Sequence, residues 1–168
     1  MFHIDIYSLI IDRPTPAIEV FRRVRALIAD EHRRLHMGTW FQVLGDLDHQ
    51  DASKFPACRT IGCLAGWEGF VVGCQTPRDP FTRVRINDSW TTKMACVAGD
   101  FRSPIYDELK CAFMDGEHYY AVDGSRDQAD KAIHWLTSFM SKWERELTDR
   151  IILPGGRVLQ RLQVKKDE

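Results

Sequence analysis

Cys58 and Cys63 are the first side chains in this 168-residue chain whose type and spacing could do chemistry. They bracket Thr60, a residue able to cap a helix of small and apolar residues over 60–73. Unpaired N–H groups and the dipole at such a helix start favour a thiolate. Zinc would need four ligands. Its further partners would have to come from His36, His49, Cys74 or Cys96, which offer no recognisable second pair, so no metal is expected. With Cys111 the cysteines number five, an odd set in a chain large enough to fold without staples, which favours reduced thiols. A redox pair is the alternative to small thiols packed inside a glycine-rich helix.

A sharper possibility is a hydrolase in which Cys63, His118 and Asp123 follow the papain-like order of nucleophile, base and orienting group. Imidazolium and a helix start would stabilise the thiolate, and the third side chain would fix the imidazole tautomer. A histidine beside Tyr119 and Tyr120 is more often a packed or surface residue than a catalytic base. The aromatic residues Trp40, Trp67, Trp90, Tyr119 and Tyr120 could instead stack on a planar ligand, with Arg78, Arg83, Arg85 or Arg102 neutralising phosphates. No Walker or Rossmann glycine loop, His-Glu-x-x-His, Gly-x-Ser-x-Gly or kinase signature is present, so no cofactor is expected.

The elements that must position these groups are mostly helical. Pro14-Thr15-Pro16 supplies a cap and a first-turn proline for a helix over about 16–34, with Ile18, Phe21, Val24 and Ile28 on its apolar stripe. Residues 36–56 read as loop. In the helix over 60–73, Gly62, Ala65, Gly66 and Gly69 leave one stripe nearly without side chains, so neighbouring helices can approach closely. Residues 81–86 and 90–97 suggest a hairpin, although the second segment is nearly as compatible with a short helix. Ser103-Pro104 opens a helix over 103–114 whose stripe is Ile105, Leu109, Ala112 and Phe113. His118 to Val122 reads as a strand. Ser125 to Gln128 is a capping box, and Ala129, Ile133, Leu136, Met140, Trp143 and Leu147 recur at helical spacing, giving one long helix over 125–148. Residues 151–164 form a closing hairpin or an extended return. The expected fold is α+β, a helix-dominated single domain over 1–168 with a small antiparallel sheet or hairpin and a frayed tail at 165–168.

Lys and Arg total 23 against 24 Asp and Glu, a net charge of −1, so neither general nucleic-acid binding nor attraction to anionic membrane is expected. The opening segment lacks a basic start and a small-residue cleavage site, and no apolar run approaches a membrane span, which favours a cytoplasmic protein. Charge is patterned locally. Arg22, Arg23, Arg25, Arg33 and Arg34 crowd the first helix, as a solvated face partly balanced by Glu19, Asp30 and Glu31 or as a docking surface for an acidic partner.

Two stretches carry a resemblance. Cys58-Arg59-Thr60-Ile61-Gly62-Cys63-Leu64-Ala65-Gly66-Trp67 resembles the Cys-Gly-Thr-x-x-Cys-Ile-Ala-Gly-Trp signature of a group of small, uncharacterised phage and bacterial proteins. Arg59 replaces the usual glycine and Leu64 the usual isoleucine, while Leu35-His36-Met37-Gly38-Thr39-Trp40 keeps part of a preceding Asp-Met-x-x-Trp element. The resemblance implies a phage or mobile-element setting and transfers no catalytic residue. With the missing signatures it gives the expectation of a noncatalytic protein that binds a host protein, such as a defence component. Its contact residues would be Arg22, Arg23, Arg25 and Arg33, with Arg78, Arg83 and Arg85 from the following loop and strand. A cysteine hydrolase and a nucleotide-sequestering protein are the alternatives.

Overall fold

The computed structural model describes residues 3–36, 41–43, 56, 60–73, 104–105, 107–109, 125–156 and 158–159. Pro16 sets the start of the first helix, α1 (Ala17–Asp30), because its fixed φ of −58° leads the chain from an extended segment into the helix. Thr15 does not cap it. Thr15–Pro16 is a short strand, β1, antiparallel to β4 (Ile151–Ile152), and the Thr15 hydroxyl donates to the Arg13 carbonyl at 2.8 Å. The expected stripe of Ile18, Phe21, Val24 and Ile28 is buried, joined by Ala17, Val20 and Leu27. The helix stops at Asp30 rather than continuing to 34. Glu31 is extended there, and its carboxylate accepts the Arg33 N–H to open a separate 3-10 turn, His32–Arg34. A local side-chain bond has outcompeted the helical ladder.

The element expected at 60–73 divides in two. Thr60 and Ile61 are β-branched and suit an extended ladder, and Thr60–Gly62 forms β3, antiparallel to β2 (Phe41–Val43). Residues 41–43 are therefore strand, not the expected loop. The helix α2 covers Leu64–Val71, and its N-cap is Cys63, not Thr60. Every residue of α2 is buried. Its last carbonyls are taken from outside the helix: Val71 O accepts from Ile11 N–H and Val72 O from Gly155 N–H, each at 2.8 Å.

The long C-terminal helix is also interrupted. Ser125 accepts from Gln128 N–H at 3.4 Å, the cap expected for α3 (Arg126–Lys142), but Trp143 leaves helical geometry at φ −112° and ψ 23° before α4 (Glu144–Asp149). Ala129, Leu136, Met140 and Leu147 are buried, as are Ala132 and Phe139, while Ile133 and Trp143 are partly so. Phe139 meets Phe21 edge to face at 5.4 Å, and α1 packs against α2, α3 and α4. The Trp143 indole and Lys142 ammonium both donate to Glu108, fastening the helical residues at 104–105 and 107–109 to the end of α3. Ile105 and Leu109 are buried.

After β4, Pro154-Gly155-Gly156 turns the chain into β5 (Val158–Leu159), the hairpin rather than the extended return. Gly155 at φ 89° takes the left-handed position that follows proline in such a turn, and Gly156 N–H donates to Leu153 O at 2.9 Å. The described strands form one sheet in the order β1-β4-β5 and a second of β2 and β3, so the chain has a helix-dominated α+β fold with small antiparallel sheets. The expected strands at 81–86, 90–97 and 118–122 and the helix end at 110–114 lie outside the described residues. Among the described residues, no helix is long and apolar enough to cross a membrane.

Candidate functional site

The two stretches that carry the resemblance come together at the start of α2. His36 N–H donates to Gly62 O at 2.9 Å, Leu35 bridges Gly62 in parallel, and β2 continues the contact along β3. The Trp67 indole is fully buried, and its N–H donates to the Arg34 carbonyl at 2.9 Å. Cys63 is 2% exposed and outside any disulfide, and its sulfur accepts the Gly66 N–H at 3.3 Å. The helix start therefore receives a neutral thiol. Burial outweighs the backbone hydrogen bonds and pushes the thiol up to about 11.

Glu68, the single charge in α2, is buried on the same helix, and loss of water alone raises its carboxyl to about 8. It is held neutral at pH 7. Once ionised, above about pH 8, it adds to the electrostatic cost of a Cys63 thiolate. His118 and Asp123, the other members of the expected hydrolase set, lie outside the described residues, as do Cys58, Cys74, Cys96 and Cys111.

Arg34 links this interior to the surface. Its guanidinium is 3% exposed and donates to Leu27 O at 2.9 Å, to Asp30 Oδ2 at 2.8 Å and to Ile4 O at 3.3 Å. Asp30 Oδ2 also accepts Ile4 N–H at 3.0 Å, so one buried ion pair pins the N-terminal arm to the end of α1. The i,i+4 spacing of Asp30 and Arg34 was legible in the sequence; that the arginine points inward was not.

The other arginines of the expected docking face are largely engaged within the chain. Arg23 bonds Leu9 O at 3.0 Å and Glu19 at 3.4 Å, Arg25 donates to Thr137 Oγ1 at 3.1 Å, and Arg33 forks onto both Glu31 oxygens at 2.8 and 2.6 Å. Arg22 is half exposed, 3.8 Å from Glu19. Arg78, Arg83 and Arg85 lie outside the described residues. The Arg33 fork holds the Glu31 carboxyl down at about 2, so this pair stays ionised through the neutral range.

Next to that pair a cleft of about 370 Å³ opens between the end of α1, the 3-10 turn and the start of α3. Ala29 and Ile133 supply apolar wall over the buried Ile28; Asp30, Glu31, Arg33, Arg126 and Asp130 supply charge. His3 and His32 complete the rim, with His3 Nδ1 3.7 Å from Asp30 Oδ2. Among the described residues, no three His, Cys, Asp or Glu side chains are grouped to hold a metal ion. The arrangement suits ligand contact by charge and shape. Sequence reading missed it because its walls come from three segments far apart in the chain. Compared with known proteins, the chain matches no family model, no curated protein and no solved structure.

Proposed function

We propose that this chain is a noncatalytic binding protein of phage type that occupies and blocks a host protein, such as a defence component, in the host cytoplasm. The observation that carries the reading is the burial of Cys63 and Trp67. Cys63 is sealed as a neutral thiol and Trp67 is spent on the Arg34 carbonyl, so these residues serve the scaffold and recognition falls to the outer surface. The exposed side of α1 around Arg22, together with the rim near Arg33, is the surface proposed for the partner.

Affinity capture from host lysate with the full chain tests this. The expected result is one saturable partner, displaced by untagged protein and weakened by Arg22→Glu combined with Arg25→Glu. Failure to recover a saturable partner, together with turnover of an amide or ester that is lost in Cys63→Ala, would overturn the proposal in favour of the hydrolase. Stabilisation by an adenine or cyclic nucleotide, without a protein partner, would point instead to sequestration of that ligand.

A further inference from the structure

The charges lining the cleft are not equally committed. Asp30 is taken by Arg34 and the Ile4 N–H, and Glu31 by the Arg33 fork. Arg126 and Asp130 remain, one turn apart on α3, both exposed and both facing the cleft. Neither side chain has an ion pair or hydrogen bond among the described residues, although their i,i+4 spacing would allow one. Beside them the accessible apolar wall is exposed Ala29 on α1 and half-buried Ile133 on α3, over the fully buried Ile28.

One uncommitted cation, one uncommitted anion and an aliphatic wall define a ligand by complementarity. We propose that this cleft binds a small zwitterion of amino-acid type, with Arg126 receiving its carboxylate, Asp130 its ammonium group, and Ala29 and Ile133 its aliphatic body. A simple anion would meet the Asp130 and Glu31 carboxylates, and a simple cation would meet the Arg126 guanidinium, so a ligand of single charge satisfies one group while opposing another. The cavity of about 370 Å³ falls within the range of small-ligand pockets, about 300–1,000 Å³. The cleft shares its Arg33 rim with the surface proposed for the host protein, but binding of a free small ligand requires no protein partner, so the assignment can stand if that reading falls.

Calorimetric titration of the full chain at pH 7 with leucine, isovalerate and isoamylamine tests the assignment. These share a branched aliphatic body and carry both charges, the negative charge alone and the positive charge alone. Leucine is expected to bind saturably and at least about tenfold more tightly than either analogue. Arg126→Gln and Asp130→Asn should each lower leucine affinity by about tenfold or more, with the far-UV circular dichroism unchanged because both positions are exposed. The double exchange Arg126→Asp with Asp130→Arg should restore saturable binding, since the ligand can turn end for end. No saturable heat with leucine, equal affinity for all three compounds, or single variants that bind leucine as the parent does would each overturn the proposal.

Discussion

Cys63 shows how one position can offer opposite chemistry depending on solvent. At a helix start, backbone N–H groups favour a thiolate; with 2% exposure, burial wins and the thiol stays neutral. A thiol near 11 instead of the ordinary 9.0 has about a hundredfold less thiolate at pH 7. Iodoacetamide is therefore expected to leave Cys63 unmodified in the folded protein and to label it once denaturant is added, as peptide mass mapping would show. Rapid labelling of this sulfur under native conditions would contradict its placement in the core. Glu68 gives a second residue-scale prediction. Its carboxyl titrates near 8 when folded and near 4.5 when free, so the folded chain holds a proton that the unfolded chain has lost between those values. Stability from this group is full below pH 4.5, declines as pH rises toward 8 and changes no further above it. Glu68→Gln should flatten that decline, gaining on the order of 2–4 kcal/mol relative to the parent at pH 8.5 and little at pH 4.5 in urea unfolding.

At the scale of elements, periodicity and caps disclosed where helices lie and failed to disclose where they end. The stripe from Ile18 to Ile28 needed only its spacing, and Ser125 announced α3 through the bond its hydroxyl makes to Gln128 N–H. Ser125→Ala is expected to cost about 1 kcal/mol in denaturant unfolding. The ends depend on competition that spacing does not record. Glu31 captures the Arg33 N–H and stops α1, β2 draws Thr60–Gly62 out of the helix, and Trp143 turns away to bond Glu108. The joint between the segment at 34–36 and the start of α2 depends most on Trp67, whose indole N–H meets a carbonyl 33 residues earlier in the chain. Trp67→Phe should leave the Arg34 carbonyl unsatisfied and the site underfilled, destabilising the protein by about 2–4 kcal/mol. Loss of hydrogen-exchange protection at His36, whose N–H bonds Gly62, should accompany it. Unchanged protection at His36 would show that the indole does not hold the two stretches together.

For the whole molecule, composition and pattern were enough for the α+β class, because a chain with several strong helical periods and few short strand signals has few other ways to bury its apolar faces. The cleft was not legible in the same way. His3, Asp30 to Arg33, and Arg126 to Asp130 become neighbours only when α1 packs on α3, and no local signal encodes that meeting. Glu68 is the lone acid of an apolar helix, a position the reading of the sequence passed over, and its consequence is global and acts together with Glu31. The Arg33 fork lowers Glu31 from 4.5 to about 2, so its stabilisation is complete above pH 4.5 and disappears as pH falls through 2. Glu68 acts in the adjoining interval, from 4.5 upward, with the opposite sign. Their joint contribution to folding is therefore greatest near pH 4.5 and weakens on both sides. Glu31→Gln should remove the acid limb alone: about 1–2 kcal/mol less stable than the parent at pH 5 to 7, allowing for the partial exposure of Arg33, and equal to it near pH 2. With Glu68→Gln added, the two-sided dependence should flatten across pH 3 to 8 in urea titrations. Persistence of the alkaline decline in the double variant would assign it to other groups and place Glu68 in contact with water.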